Sequence, residues 1–148
     1  MTPLVYAPLT PHEAALKNPL ALAYLGDTVW DLLIRSRLLL TDGKADGLHR
    51  AATQRVNAGA QARAFEAIFS RLTEPEADVA RRAKNAHSRH AAPRHQSPYD
   101  YARASALEAV LGFLALSGQE ARARELFDIA MAILYNEGET AKEDPAHA

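Results

Sequence analysis

Two acidic residues stand within segments that are otherwise almost entirely apolar. Asp27 lies in the run of residues 20–30, and Glu108 lies in the run of residues 104–114. An unpaired carboxylate buried in such a segment costs several kcal/mol or stays protonated. A divalent cation offers a remedy, because hard oxygen ligands on two helices can hold Mg²⁺ together with several waters. Such an ion could orient water and neutralise charge on a phosphodiester.

Spacing alone also fits a more ordinary interpretation, in which each acid lies on a solvated stripe or pairs with an arginine. Asp31, one turn beyond Asp27, fits a surface residue better than a third metal ligand. Gly26 and Gly112 each lie in mid-helix close to an acid, where glycine costs about 1 kcal/mol relative to alanine. These two glycines therefore predict close packing or the approach of a ligand.

Positive charge is concentrated locally, although the formal net charge is −1. No acid occurs between Asp78 and Asp100, and we call this stretch, residues 79–99, the basic segment. It contains Arg81, Arg82, Lys84, His87, Arg89, His90, Arg94 and His95. Such a cluster suits a phosphate-binding surface, although for any single arginine a merely solvated face fits as well. The histidines lack cysteines or a tight fourth ligand, which disfavours zinc.

The bulk composition fits one globular domain of 148 residues. Cysteine is absent, so thiolate ligands and disulfides are excluded. The N-terminus lacks the profile of a signal peptide, and charged residues interrupt every long apolar run, which disfavours a membrane span. We therefore expect a cytoplasmic protein with a single domain over residues 1–138 and a disordered polar tail over residues 139–148.

Helix-start patterns divide the chain into successive helices. Capping boxes or an N-cap followed by proline occur at residues 10–13, 18–19, 73–76 and 97–98. Residues 46–72 fit one bent helix or two consecutive helices, with Asn57 and Gly59 near the break. Because no β-type alternation is present, we predict an all-α bundle of six or seven helices.

The segment around Asp27 reads Asn-Pro-Leu-Ala-Leu-Ala-Tyr-Leu-Gly-Asp-Thr-Val-Trp-Asp over residues 18–31. It resembles the signature helix of the ribonuclease III family, specifically its mini-ribonuclease III form. The match continues through residues 81–86 and 107–118, and covers roughly residues 18–132. Where the larger family has two further acids, this chain has Ala23 and Ser105. Both departures fit the mini branch, which works with fewer acids.

The resemblance implies an endoribonuclease that cuts double-stranded RNA, with Asp27 and Glu108 as the catalytic acids that bind Mg²⁺, or Mn²⁺ in its place. It implies a homodimer in which the signature helices pair across a two-fold axis and each protomer cuts one strand. Tyr24 occupies the position of an aromatic inserted into the partner subunit, although helical spacing alone fits a core aromatic equally. The chain leaves no room for a double-stranded-RNA-binding domain, as expected of the mini form.

Family resemblance further points to maturation of precursor 23S ribosomal RNA, with a ribosomal protein as a candidate partner. A-form RNA is recognised mainly through phosphates and 2′-hydroxyls, so the basic segment is the expected RNA-binding surface. The predicted RNA contacts are Arg81, Arg82, Lys84, Asn85, His87, Arg89 and Arg94. A catalytically silent relative that only binds RNA or ribosomes is the alternative, and retention of both acids argues against it.

Overall fold

Seven α-helices follow one another in the computed structural model, which describes residues 2–6, 9–40, 43–87 and 97–136. They are α1 (Pro11–Ala15), α2 (Pro19–Leu38), α3 (Ala45–Val56), α4 (Ala58–Ile68), α5 (Glu74–His87), α6 (Pro98–Leu116) and α7 (Glu120–Met131). A 3-10 turn, Phe69–Arg71, follows α4, and a π-helical turn, Ala132–Asn136, follows α7. The described residues contain no strand. The predicted all-α bundle of six or seven helices is confirmed.

Some predicted features lie outside the described residues. These are the tail over residues 139–148, Arg89, Arg94 and the side chain of His87. Within the described ranges, no helix combines the length and the apolar character needed to cross a membrane.

Side-chain caps fix where the helices start. The Thr10 and Glu13 side chains form the predicted capping box of α1, and Asn18 Oδ1 accepts hydrogen bonds from the first turn of α2. Asn57 separates α3 from α4, because its extended backbone ends the first helix and its Oδ1 accepts from the Ala60 N–H at 2.9 Å. The helix therefore breaks at the residue that the sequence predicts, and the Asn57 side chain fixes where α4 begins.

The central contact of the fold is between α2 and α6, whose backbones touch. A Cβ placed on Gly26 would lie 1.6 Å from the Glu108 carbonyl oxygen, and one on Gly112 would lie 1.9 Å from the Leu22 carbonyl oxygen. The close packing predicted at both glycines is therefore present. Because Gly26 precedes Asp27 and faces the backbone of Glu108, this crossing brings the two acids together. The surrounding core includes Trp30, Ile34, Leu107, Leu111, Leu114, Leu126 and Phe127.

A buried ion pair joins the start of α5 to α7. Glu76 is buried and accepts hydrogen bonds from Arg122 Nε and Nη2, both at 3.0 Å. Burial would raise the pKa of the Glu76 carboxyl, but the hydrogen bonds from Arg122 and from the Thr73 backbone outweigh burial and hold the pKa below its ordinary value. This acid therefore stays ionised, with an arginine as its partner.

Candidate active site

An open cavity of about 490 Å³ lies where α2, α4 and α6 meet. Both Asp27 and Glu108 line it, and we call these residues the acid pair and this space the acid cavity. Its lining comprises Leu20, Ala23, Tyr24, Asp27, Val56, Asn57, Ala58, Gln61, Tyr101, Ser105 and Glu108. The fold therefore joins two acids that are far apart in the sequence at one solvent-accessible site, as a catalytic cavity requires.

The two carboxyl groups of the acid pair interact directly. Asp27 is exposed at the surface of α2, whereas Glu108 is half-buried. Burial, then the hydrogen bond with Asp27 and the charge of Asp27, raise the pKa of the Glu108 carboxyl to about 9, while a hydrogen bond from Gln61 acts in the opposite direction. Neither acid forms an ion pair with a described lysine, arginine or histidine. Without a cation, the raised pKa of Glu108 favours its protonated form at neutral pH.

This donor set suits Mg²⁺ better than a metal that requires a full protein cage. The described residues contain no group of three or more histidine, aspartate or glutamate side chains that could hold a metal. Mg²⁺ usually binds one or two carboxylates and keeps several waters, so the acid pair is sufficient. Asp31 lies outside the cavity lining and forms a 2.9 Å ion pair with Arg35, as expected of a surface residue.

Ala23 and Ser105, the positions at which this chain departs from the larger family's acid pattern, both line the acid cavity. The two positions at which this chain lacks an acid therefore lie in the site itself and not on a distant surface. Ala23 contributes no polar group, and Ser105 contributes a hydroxyl. The site consequently has two carboxylates and a neutral hydrogen-bonding side chain one turn before Glu108.

Gln61 is a site residue that sequence reasoning missed. Its side chain is buried, and its Nε2 donates to Glu108 Oε2 at 3.3 Å. The available signal was a lone amide on the buried face of the alanine-rich helix α4. The sequence predicts Asn57 only as a helix break, and in the structure Asn57 also lines the acid cavity.

The predicted RNA-binding residues of α5 do not line the acid cavity. Arg82 is half-buried, and its Nη2 donates to the Ala15 carbonyl oxygen at 2.6 Å and its Nε to Asp78 at 3.1 Å. Arg81 is exposed and also pairs with Asp78. Lys84 is half-buried, with its ammonium about 6 Å from two phenylalanine ring centres. Asn85 is exposed.

Tyr24 is 85% exposed in the single chain. The alternative of an aromatic packed in its own core is therefore wrong. The outward face of α2 that carries Tyr24 also exposes Ala21, Thr28 and Leu32, which is an unusually apolar set for a solvated helix face. This face is available to another chain.

The raised pKa of Glu108 predicts a pH-dependent stability in the absence of metal. Between its unfolded pKa near 4.5 and its folded pKa of about 9, the folded state holds a proton that the unfolded state has lost. The stability that this proton contributes is complete below the lower value and falls as pH rises through the window. From about pH 5.5 to about pH 7.5, the wild type should lose about 2–3 kcal/mol more unfolding free energy than Glu108→Gln, because each pH unit in this window removes about 1.4 kcal/mol.

Urea unfolding of both proteins in a metal chelator measures this difference. The Glu108→Gln variant serves as the control for every other titrating group, because only the Glu108 proton is removed. Parallel pH profiles for the two proteins would contradict the raised pKa.

The comparisons with known proteins agree with this geometry. Residues 20–119 match the family model described as ribonuclease III domain. Mini-ribonuclease 3 of Symbiobacterium thermophilum is 42% identical over 113 residues, which cover 76% of this chain and 86% of that protein. Mini-ribonuclease 3 of Brevibacillus brevis is 40% identical over 127 residues, with 85% and 94% covered. A crystal structure of a Fusobacterium nucleatum protein matches with a TM-score of 0.71 at 30% identity, covering 78% of this chain and 93% of that one. The chain belongs to the ribonuclease III family and, within it, to the mini-ribonuclease 3 proteins.

Proposed function

We propose that this protein is an endoribonuclease that cleaves double-stranded RNA with Mg²⁺, or Mn²⁺ in its place, bound by Asp27 and Glu108. The observation that carries the proposal is the acid pair itself. Two carboxyl groups from α2 and α6 meet in an open cavity without a cationic partner among the described side chains. Family membership supplies the substrate class, because ribonuclease III enzymes act on duplex RNA.

Each residue of the site has a definable task in such a reaction. Mg²⁺, when bound, activates water and neutralises charge on the phosphodiester. Asp27, at the exposed edge of the cavity, and Glu108, deeper within it, supply its carboxylate ligands. Gln61 holds one oxygen of Glu108 through the 3.3 Å hydrogen bond. No described histidine lines the cavity, so the general-base role does not fall to a histidine among these residues.

The alternative of a silent, RNA-binding relative fits the site less well. A binding protein gains nothing from placing two carboxyl groups so close that one of them becomes protonated, since this arrangement costs stability. Functional sites are where such strongly perturbed acids concentrate. The arrangement therefore favours catalysis over binding alone.

The substrate class is tested by presenting one sequence in three forms to the purified wild type in Mg²⁺. The forms are an RNA duplex, its isolated single strand and the corresponding DNA duplex. We expect fragments from the RNA duplex alone, because an A-form duplex with 2′-hydroxyls is the expected recognition element. Equal cleavage of the single strand would replace the duplex-specific assignment with a general ribonuclease.

We also propose that two copies pair through the exposed face of α2. A two-fold arrangement is the commonest form of a soluble oligomer and places the same surface on both subunits. It would bury Tyr24 and direct two acid cavities at opposite strands of one duplex. The apolar character of this face supports the pairing.

Tyr24→Asp should shift the protein from dimer to monomer. The substitution places an unpaired charge in the apolar contact, at an expected cost of about 3–5 kcal/mol. Sedimentation velocity over a concentration series measures the shift, and Tyr6→Asp is the matched control, because Tyr6 is also largely exposed, at 97%, and lies outside α2. A wild type that remains monomeric at micromolar concentration would rule out the dimer and the paired cut.

The basic segment is the proposed RNA-binding surface, with Arg81, Lys84, Asn85, His87, Arg89 and Arg94 as its contacts. Arg82 is a further proposed contact, and its Nη2 also donates to the Ala15 carbonyl oxygen. The combined variant Arg81→Gln, Lys84→Met should weaken duplex binding about equally across sequences. It should also reduce the salt slope of binding by about 1 for each lost phosphate contact.

Binding measured at several salt concentrations tests this surface. Arg124→Gln is the control, because Arg124 is exposed and pairs with an aspartate on its own helix, α7. If the combined variant and the control show the same salt slope as the wild type, RNA binds elsewhere on the protein.

For the physiological role, we propose maturation of the ends of precursor 23S ribosomal RNA in the cytoplasm, with assistance from a ribosomal protein. This proposal rests on family resemblance. Mapping of 23S RNA ends in cells that lack the protein tests it: extended ends are expected, and fully mature ends would assign the enzyme to another RNA.

A further inference from the structure

Four polar side chains are buried among the described residues, and they fall into two classes. Glu76 and Ser117, 2% and 8% exposed, are satisfied by other protein groups. Glu76 binds Arg122, and the Ser117 hydroxyl donates to the Phe113 carbonyl oxygen at 2.7 Å. The other two, Gln61 and Ser105, are 3% and 4% exposed, and both line the acid cavity.

Gln61 and Ser105 both retain unused hydrogen-bonding capacity. The Ser105 hydroxyl has no hydrogen-bond partner within the described residues, and Gln61 uses only its Nε2, on Glu108. Its Oε1 accepts from no described group. A buried polar atom without a partner costs about 1–3 kcal/mol. Such atoms in a native protein normally bind water, an ion or a ligand.

We propose that Gln61 and Ser105 are positioning residues of the Mg²⁺ site. Gln61 orients the Glu108 carboxylate through Nε2, and Gln61 Oε1 and the Ser105 hydroxyl bind water carried by the ion. The inference rests on the metal site of the proposed function. Mg²⁺ retains several waters, and groups that bind these waters or orient the ligands contribute strongly to affinity.

This assignment adds two neutral hydrogen-bonding groups to the two carboxylates that bind the cation. At position 105 the hydroxyl replaces a charged group of the larger family with a neutral one that can bind water. Gln61, from a third helix, α4, adds a second neutral group next to Glu108. The cation is then surrounded by fewer charges but retains a hydrogen-bonded hydration layer.

Mn²⁺ titration followed by electron paramagnetic resonance, without RNA, tests the proposal on the purified full chain. Gln61→Leu, which keeps volume but removes the amide, should bind Mn²⁺ about 10–100-fold more weakly. Ser105→Ala, a minimal change that the fold accommodates, should weaken binding several-fold. Ser117→Ala is the matched control, because it removes a buried hydroxyl from the end of α6 away from the cavity and should leave Mn²⁺ affinity unchanged.

Cleavage kinetics separate positioning from a general structural effect. In Gln61→Leu, saturating Mn²⁺ should restore most of the lost cleavage rate, while thermal unfolding stays cooperative. Wild-type Mn²⁺ affinity in both Gln61→Leu and Ser105→Ala, with affinity lost in Glu108→Gln, would overturn this inference and leave the acid-pair site intact. Wild-type affinity in Glu108→Gln would instead overturn the metal site of the proposed function, and this inference with it.

Discussion

Gly26→Ala is expected to destabilise the protein by about 3–5 kcal/mol, which lowers its melting temperature by roughly 10 °C. The reason is that a Cβ at this position would lie 1.6 Å from the Glu108 carbonyl oxygen, and the backbone cannot yield as a flexible side chain can. The helices α2 and α6 must move apart, which also separates the acid pair. Duplex cleavage should therefore fall together with stability, although Gly26 offers no chemical group.

Gly47→Ala provides the matched control. Gly47 also lies within a helix, α3, but a Cβ there would meet nothing within 4 Å. Its replacement should stabilise the protein by about 0.5–1 kcal/mol through helix propensity and leave cleavage unchanged. Thermal unfolding of both variants measures the difference. Equal melting temperatures would show that the α2–α6 crossing tolerates a side chain.

Asp27→Asn and Glu108→Gln should each reduce the single-turnover rate of duplex cleavage by about 10²–10³-fold or more. Each substitution keeps shape but removes a negative oxygen ligand that a hard cation prefers. Both variants should remain folded. Glu108→Gln should even be more stable than the wild type in chelator at neutral pH, because it no longer carries a carboxyl with a pKa of about 9.

For Glu108→Gln, the cleavage rate should fall while the free energy of unfolding rises, and this combination distinguishes a functional acid from a structural one. Replacing an acid that stabilises the fold would lower the free energy of unfolding. Replacing an acid that is kept for function at a cost in stability should raise the free energy of unfolding and abolish activity. Circular dichroism and urea unfolding of the purified variants supply the stability measurement. A variant that cuts the duplex at the wild-type rate would remove that acid from the site.

The acids were visible in the sequence because a carboxylate within an apolar run is conspicuous. The contact between the two acids could not be predicted in the same way, because it depends on the close approach of α2 and α6 at Gly26 and Gly112. The spacing of these glycines indicates close packing but not which helices pack together. Gln61 was missed for a related reason: its importance comes from facing Glu108 on another helix. A single polar residue in α4 gives no sign of which helix it contacts.

Arg82 and Tyr24 show the limits of local pattern in opposite directions. Arg82 belongs to a basic stretch from which RNA binding is predicted, and local pattern gives no sign that its guanidinium also binds the Ala15 carbonyl oxygen at the end of α1. That partner is distant in the sequence and carries no charge. For Tyr24, helical spacing fitted burial and exposure equally, and only the packing of α2 against α6 decided for exposure.

If the acid pair holds the cation with which duplex RNA is cut, cleavage must depend both on added metal and on Glu108. An RNA duplex labelled on both strands is incubated with chelator-treated wild type and with Glu108→Gln, first without metal and then after Mg²⁺ is added. We expect no cleavage before addition, cleavage of both strands by the wild type afterwards, and an intact duplex with Glu108→Gln throughout. Cleavage by the wild type in chelator, or equal cleavage by Glu108→Gln after Mg²⁺, would contradict this expectation.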